Sequence, residues 1–458
     1  MMLKTTQQFP HSSRRNTLPA WGWVHGFILV QFACQLLLLF PQFGVLRVPM
    51  RIASFAISLL LLVLLPGDGP RHPATWPAIG VLVIMAVSFC FHPFMNSFMA
   101  GAAQCGMYAA ILGPLFWVTR LKITPNGFKW LIFLLWGFHT LSAIFGVLQV
   151  YFPGQYQPFL STAIQNSTFG GDQLLITLAN GEQTYRPMGL TDTPGGAASA
   201  GFYALLLGVG IALQQKKTIL RVACIFSSGI GLFCIYLSQV RSVLVMAGVC
   251  LLCLAVLLAK KGEFGRMTAI IGGGSALFMA TFAWAVAKGG ESTVARFSSL
   301  FAERADAVYY QSRGHFLEDT FNFLLPQYPL GAGLGRWGQI NGYFGDLHNP
   351  LSYPLWAEIQ WTGWLYDGGL PLIIAYVLAL LLACQTAWKI AMNRQLKDLN
   401  LWGGLMFAYN IGALALTFNY PLFISQGGME FWLLNTALFV AAYNEWMQDN
   451  QRARRIRA

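Results

Sequence analysis

The sequence contains about a dozen separate apolar stretches, most of them close to the length that crosses a lipid bilayer. A transmembrane α-helix needs about 20 apolar residues, because each residue advances the helix by only about 1.5 Å. One water-soluble core could not bury this material, since 56% of the 458 residues are hydrophobic and only 10% are charged. We therefore predict an all-α polytopic membrane protein with about twelve transmembrane helices, near residues 20–40, 48–65, 76–91, 97–118, 128–151, 197–213, 219–237, 242–259, 269–287, 369–388, 401–418 and 429–446.

The basic residues of the chain indicate its topology. Lys and Arg number 29 against 17 Asp and Glu, which gives a net charge of +12. In membrane proteins such an excess collects in cytoplasmic loops, so we predict no nucleic-acid partner from it. Twelve spans place both termini on one side, and most basic residues fall on that side. We therefore predict a single membrane domain over residues 1–458 with both termini cytoplasmic, and this leaves nine basic residues outside: Arg47, Arg51, Arg186, Arg241, Lys288, Arg296, Arg304, Arg313 and Arg336.

Two connections between the apolar stretches are long, whereas most others have fewer than about fifteen residues. They cover residues 153–196 and 289–368, and the predicted topology makes both extracytoplasmic. The second is rich in Tyr, Phe and Trp, which is not typical of a disordered segment. We expect a large folded loop between helices 9 and 10, made of short helices on the membrane surface.

Three of the outer arginines stand beside predicted helices or in the second loop, namely Arg186, Arg241 and Arg313. A guanidinium binds phosphate oxygens in pairs and does not lose its proton. Arginines that converge at the headgroup level would therefore suit a lipid that carries phosphate or diphosphate. A single arginine could instead extend to the membrane interface or bind a carbonyl group. Other outer arginines have acidic neighbours and are expected to form surface ion pairs: Arg296, Arg304 and Arg336, near Glu291, Glu303 and Asp306.

Few polar side chains lie inside the predicted spans. His139, Asn410 and Asn435 are the candidates, and we expect each to form an interhelical hydrogen bond. Moving an ion or proton through the hydrocarbon region generally needs ionisable groups there. A transporter is therefore the weaker functional class.

Two groups in the second long loop could act as a general base on a hydroxyl group. They are the imidazole of His348 and the carboxylate of Glu358. Either could instead be a buried group that bonds to the backbone of a folded loop. No metal or nucleotide cofactor is predicted, because the eight cysteines are scattered through apolar stretches and no strand precedes the glycines at 331–335.

Four blocks, in this order, resemble the bacterial O-antigen ligase and O-antigen polymerase superfamily of integral-membrane glycosyltransferases. They are Arg-Pro-Met-Gly from Arg186, Ser-Gln-Val-Arg-Ser around Arg241, Arg313 followed by Tyr-Pro-Leu-Gly-Ala-Gly-Leu-Gly from Tyr328, and Asp-Gly-Gly-Leu-Pro from Asp367. The resemblance covers about residues 186–371. Outside that range it rests on helix count and hydropathy.

The resemblance implies a GT-C-like helical fold and a metal-independent inverting glycosyltransferase of the bacterial inner membrane. The donor would be an undecaprenyl-diphosphate-linked oligosaccharide, and no cofactor would be needed. Arg241 and Arg313 would hold the diphosphate, and Arg186 would line the same cavity. We favour a polymerase that adds repeat units to an O-antigen or exopolysaccharide acceptor, because the aromatic loop offers platforms for several sugar rings: Trp337, Tyr343, Trp356 and Trp361. The alternatives are a ligase to lipid A core or protein, and a transporter of a lipid-linked glycan or small anion.

The position of the general base departs from the pattern of the family. Members commonly carry a His-Asn pair nine residues before the acidic residue that corresponds to Asp367. In this chain that spacing leads to Glu358, while His348 and Asn349 lie ten residues too early. Either the loop contains an insertion and His348 is the base, or a carboxylate has replaced the imidazole. The spacing slightly favours Glu358.

Overall fold

The computed structural model describes residues 21–67, 69–153, 155–157, 174–191, 194–302, 307 and 309–457. Helices make up 76% of it. The sheet in the described residues is one antiparallel hairpin, β1 (Leu175–Thr177) and β2 (Gln183–Tyr185), with Ile176 opposite Thr184. The predicted all-α class is therefore confirmed, and the hairpin is an addition that the sequence analysis did not foresee.

A helix lies at each of the twelve predicted apolar stretches. Within the described residues, eight helices are long and apolar enough to cross a membrane, and the first and third are shorter apolar helices. The full count of twelve spans therefore stays a prediction. The helices are α1 (Trp21–Leu37), α2 (Arg47–Leu64), α3 (Thr75–Phe91), α4 (Phe98–Leu112), α5 (Pro114–Trp117), α6 (Pro125–Tyr151), α7 (Ala197–Gln214), α8 (Thr218–Ser238), α9 (Arg241–Lys260), α10 (Phe264–Thr268), α11 (Gly274–Ala302), α12 (His315–Asp319), α13 (Leu325–Gln327), α14 (Gly338–Phe344), α15 (Gln360–Met392), α16 (Asn400–Leu416) and α17 (Gln426–Arg457).

The long helices pack around one apolar core. Two hydrogen bonds inside this core are of the predicted interhelical kind. The side-chain amides of Asn410 and Asn435 donate to each other's oxygens at 2.7 and 2.9 Å. His139 differs, because its ring stacks on that of Tyr203 with centroids 4.5 Å apart. The two reciprocal hydrogen bonds satisfy the side-chain amides of both asparagines, which lipid could not do.

The closest helix pair is α7 and α8, which touch through backbone atoms. A Cβ added to Gly201 would lie 2.4 Å from the carbonyl oxygen of Gly231, and one added to Gly231 would lie 2.4 Å from that of Gly201. Small residues allow such an approach in membranes, where association relies on van der Waals packing.

Replacing Gly201 with alanine should therefore lower stability by about 1–3 kcal/mol, because the added methyl group forces the two backbones apart. The melting temperature of the protein in detergent would report this loss. Gly248→Ala is the matched control, since Gly248 lies in helix α9 with no heavy atom within 4 Å of its added Cβ. A similar loss in both variants would contradict the proposed close packing.

Two helices near the second long connection are broken by glycine and then continue. Helix α15 is non-helical at Gly368 and Gly369, and helix α11 is non-helical at Gly290. Gly369 and Gly290 have φ of 65° and 62°, which side chains with a Cβ rarely adopt. The breaks fall at the predicted limits of the 289–368 connection. Helical structure nevertheless continues to Ala302 beyond the first break and begins at Gln360 before the second, so each break is a bend within a longer helix.

The rest of this connection, residues 309–359, is called the long loop below. It consists of turns and the short helices α12, α13 and α14, as the aromatic sequence predicted. Buried Asn96, between α3 and α4, fastens it to the bundle. The Asn96 amide donates to the carbonyls of Asp346 at 3.0 Å and Ser352 at 2.7 Å, and its oxygen accepts the backbone N–H of Asp346 at 2.6 Å. The long loop is thus a fixed part of the bundle, and the end it covers is called the loop end.

Candidate functional site

Three arginines from separate parts of the chain meet at the loop end. Arg186 follows strand β2, Arg241 begins helix α9, and Arg296 lies in α11 beyond the break at Gly290. Arg296 is close enough to experience the positive charges of both Arg241 and Arg186. We call these three residues the arginine cluster. It brings together two residues predicted to bind diphosphate, and it adds Arg296, for which the sequence favoured a surface ion pair.

The elements that carry the arginine cluster are joined by hydrogen bonds. Gln239, in the turn between α8 and α9, donates its amide to Ser292 Oγ at 3.3 Å. The Ser292 hydroxyl donates to the carbonyl of Thr177 in β1 at 2.6 Å. Gln239 has a φ of 53°, an uncommon conformation for a residue other than glycine. The tight turn therefore fixes where Arg241 emerges, and the serine holds α11 to the hairpin.

Burial gives Arg186 a constrained environment. Burial lowers the pKa of the Arg186 guanidinium from its ordinary value, although a guanidinium stays charged at neutral pH. Its Nε atom is buried and donates no hydrogen bond within the described part of the chain. A positive group held in this way interacts with an anion more strongly than a solvated arginine does.

Arg313, the third arginine predicted to bind diphosphate, forms an ion pair with Glu358. Arg313 stands in a helical turn at 310–314, and Glu358 lies two residues before helix α15. Burial lowers the pKa of the Arg313 guanidinium as well. One predicted diphosphate ligand and the favoured candidate for the base thus contact each other directly.

His348, the second candidate for the base, is exposed in the long loop. Its backbone N–H donates to the side chain of Asp346 at 3.0 Å, and the side chain of neighbouring Asn349 donates to the carbonyl of Asn96 at 2.9 Å. The His348 to Asn349 segment therefore serves to attach the loop. His348 does not line the cavity at the loop end.

That cavity has a volume of about 820 Å³. The long loop and the start of α17 contribute to its wall, together with α1, α2, α4, α6, α7, α9 and α16. Of the described residues on its wall, Arg51 is the one basic side chain and Glu430 the one acidic side chain. Gly196, Ser199 and Val243 also line it, close in sequence to the arginine cluster. The cavity therefore reaches from the neighbourhood of the arginines into the bundle.

Glu430 is the residue of this cavity that the sequence analysis missed. It lies in the first turns of α17, and only 5% of it is exposed. Its carboxylate accepts a hydrogen bond from the hydroxyl of Tyr203. The Tyr203 and Tyr409 hydroxyls are 2.8 Å apart, and both tyrosines line the cavity. The signal in the sequence was a glutamate at the start of the apolar stretch 429–446, which hydropathy alone does not distinguish from a helix end.

The four aromatic residues predicted to contact sugars are divided by the fold. Trp337, Tyr343 and Trp356 line the cavity. Trp361 instead packs against Phe418, with ring centroids 5.3 Å apart, and is absent from the cavity wall. Tyr343 and Trp356 are therefore placed where a sugar could stack on them, whereas Trp337 is 3% exposed and belongs to the packed wall.

Trp337 is held by a buried carboxylate at the break in α15. Its Nε1 donates to Asp367 at 2.9 Å, Tyr108 donates to the same carboxylate at 2.8 Å, and Gln104 donates at 2.9 Å. Asp367 is only 1% exposed. This arrangement joins α4, the long loop and α15 behind the wall of the cavity.

The expected surface ion pair of Arg336 was wrong. Arg336 is 3% exposed, donates to the carbonyls of Ala332 at 2.7 Å and Tyr353 at 3.2 Å, and lies 4.9 Å above the Tyr353 ring. It turns inward because the long loop has carbonyl groups to satisfy away from water. Arg304, with Glu303 and Asp306, lies outside the described residues.

The glycines at 331–335 serve packing. A Cβ on Gly333 would lie 2.2 Å from the carbonyl of Phe94, and one on Gly335 would lie 2.4 Å from Ala100. Among the described residues, no group of three or more His, Cys, Asp or Glu could hold a metal ion. No model of a known protein family matches this chain, and no curated protein matches it in sequence.

Proposed function

We propose that the chain is a metal-independent inverting glycosyltransferase with a GT-C-like fold, which takes its donor glycan from undecaprenyl diphosphate at the outer face of the bacterial inner membrane. The observation that carries the proposal is the arginine cluster beside a cavity large enough for sugars. Arg296 is within electrostatic reach of both Arg241 and Arg186, and guanidinium groups brought together in this way suit an anion with several oxygen atoms, such as a diphosphate.

The chemistry of a diphosphate leaving group suits this cluster. Negative charge grows on the diphosphate as the glycosidic bond breaks, so fixed cations stabilise the transition state more than the bound donor. Arg241 and Arg186 supply two of these cations, and Arg296 is a third. Arg313 is held by its ion pair with Glu358.

The cavity suits the glycan itself. Small-molecule sites commonly have volumes of about 300–1,000 Å³, and aromatic rings with a few polar groups line them. Tyr343 and Trp356 provide such rings, and buried Trp337 forms part of the wall behind them. The aromatic wall supports polymerisation of repeat units onto a polysaccharide acceptor, with ligation to lipid A core or protein as the alternative. Buried Glu430 is the observation that favours the second candidate, a transporter of a lipid-linked glycan or small anion.

The direct test uses purified protein in lipid nanodiscs with a synthetic undecaprenyl diphosphate oligosaccharide. Lengthening of the oligosaccharide without added metal or nucleotide would support a polymerase. Transfer to added lipid A core would support a ligase. Movement of the lipid across sealed vesicles without covalent transfer would replace the enzyme by the transporter.

The same assay compares the two residues that the sequence put forward as the base. Glu358→Gln should slow transfer by at least about 10-fold, because it removes the partner that positions Arg313 and leaves a partly buried charge unpaired. His348→Ala should stay within about twofold of the unaltered protein, since His348 is exposed and away from the cavity. A larger loss in His348→Ala than in Glu358→Gln would reverse this assignment.

A further inference from the structure

We infer that Glu430 is the catalytic base and that the inner end of the cavity is the site of the acceptor hydroxyl. This inference rests on the proposed glycosyl transfer and names the group that completes it. It follows from what a general base needs: a position within reach of the substrate, a free lone pair, and a neighbour that orients it.

Position separates Glu430 from the other acidic groups. It is the one carboxylate among the described residues that line the cavity. Glu358 is next to the cavity residue Ala357 in sequence, yet its own side chain pairs with Arg313. Asp367 lies behind Trp337, and Trp337, Tyr108 and Gln104 all donate to its oxygens. Neither of these two carboxylates faces a substrate in the cavity.

The charged neighbours of Glu430 also differ from those of Glu358. The carboxylate of Glu358 is engaged by the guanidinium of Arg313. Within the described part of the chain, no basic side chain pairs with Glu430. Its partner is the neutral hydroxyl of Tyr203. The remaining lone pairs of Glu430 are therefore available to accept a proton from a bound hydroxyl group.

The surroundings orient Glu430. The Tyr203 hydroxyl donates to the carboxylate and contacts the Tyr409 hydroxyl at 2.8 Å. The ring of His139 stacks on Tyr203 at 4.5 Å, with the planes inclined by 18°. His139 from α6 and Tyr409 from α16 thus hold Tyr203 in place, and the Tyr203 hydroxyl orients the carboxylate at the cavity wall.

The path of helix α7 from the arginine cluster toward Tyr203 and Glu430 fits an inverting reaction. Gly195 lies beside Val240, whose neighbour is Arg241, because a Cβ on Gly195 would be 3.5 Å from the Val240 side chain. From the start of α7 at Ala197 to Tyr203 the helix advances by about 9 Å. A base for inversion must lie across the anomeric carbon from the leaving group. A sugar ring between the arginines and Glu430 meets that condition.

The proposed transfer makes one bond and breaks one bond at the anomeric carbon of the donor sugar. The acceptor hydroxyl oxygen forms a bond to the anomeric carbon, and the bond from that carbon to the diphosphate oxygen breaks. Undecaprenyl diphosphate leaves with the electron pair, and the arginine cluster stabilises its charge. The proton of the hydroxyl passes to the carboxylate of Glu430. No metal, nucleotide or redox partner takes part in these bond changes.

The test is Glu430→Gln in nanodiscs, with the synthetic undecaprenyl diphosphate oligosaccharide used as donor and acceptor. Glutamine keeps the shape and can still accept from Tyr203, but it cannot take a proton. We expect chain lengthening to slow by about 10²–10⁴-fold. Donor retention on immobilised protein should remain within twofold of the unaltered protein. Glu445→Gln is the matched control, since Glu445 lies at the far end of the same helix and should transfer normally.

The outcomes separate the inference from the proposed function. Normal transfer in Glu430→Gln, together with an inactive Arg241→Ala, would overturn the inference and leave the enzyme in place. An equal loss of donor retention and transfer in Glu430→Gln would also overturn it, because Glu430 would then be a binding group. If the unaltered protein showed no donor retention and no transfer, the proposed function itself would be refuted.

A second variant covers the case in which glutamine disturbs folding. Glu430→Asp keeps the carboxylate but withdraws it by one methylene group. We expect kcat to fall by at least about 10-fold with little change in the KM of the acceptor, as for a displaced base. An unchanged kcat in a monodisperse Glu430→Asp protein would overturn the inference.

Discussion

Replacing Arg241 with lysine should lower the rate of the proposed glycan transfer by about 10²-fold, and replacing it with alanine should lower it by about 10³-fold or more. Lysine keeps the charge but is a point charge, whereas a guanidinium binds two phosphate oxygens at once. Arg186→Lys should show a loss of the same order. The loss should appear mainly in kcat, because the charge on the diphosphate is greatest in the transition state. Single-turnover transfer in nanodiscs measures it.

The control for this prediction is Arg266→Lys at the opposite end of the bundle. Arg266 is exposed and pairs with Glu263, so its replacement should leave transfer unchanged. Wild-type activity in Arg241→Lys and Arg186→Lys would show that phosphate is not bound through these side chains. Aggregation of both variants would instead assign the cluster a role in folding.

Replacing Asp367 with alanine should lower the free energy of unfolding by about 3 kcal/mol or more. The substitution leaves Trp337 Nε1, the Tyr108 hydroxyl and the Gln104 amide without the acceptor to which they donate. Each buried polar group that loses its partner costs about 1–3 kcal/mol. The melting temperature in detergent should fall accordingly. Transfer should fall as well, because Trp337 loses the contact that fixes it at the cavity wall.

Asp398→Ala is the matched control for this effect. Asp398 is exposed and pairs with Lys129 at 3.2 Å, and such surface pairs contribute about 0–1 kcal/mol. The melting temperature of Asp367→Asn should lie between those of Asp367→Ala and Asp398→Ala. Its amide oxygen still accepts a hydrogen bond, but its NH₂ group faces other donors. Equal melting temperatures for Asp367→Ala and Asp398→Ala would mean that the three donors find new partners.

Much of the helical framework could be predicted from sequence, because hydrophobic length is a local property. Each of the twelve apolar stretches contains a helix, including the stretches at 197–213 and 219–237 that became α7 and α8. Two of the predicted arginines, Arg186 and Arg241, also lie together. They lie at the ends of neighbouring elements, and such positions are visible in the order of apolar and polar residues.

The composition of the cavity could not be predicted, because it depends on which helices become neighbours. Glu430 meets Tyr203, which comes from another helix far away in the sequence, and hydropathy carries no information about that contact. Asp367 meets Gln104 across 263 residues. The helix breaks were missed for a different reason. Gly290 and Gly369 change the direction of a helix, and a reading of apolar runs treats such glycines as helix ends.

The attachment of the long loop through Asn96 has a consequence for biosynthesis. The carbonyl groups of Asp346 and Ser352 are synthesised 250 and 256 residues after the asparagine whose amide they accept. At about 5–20 residues per second, a ribosome needs roughly 12–50 seconds to cover that distance. Until then the polar groups of Asn96, in the turn between α3 and α4, must bind water in place of the long loop. The first four helices are therefore synthesised long before their contact with the long loop can form, which requires about three quarters of the chain to be translated.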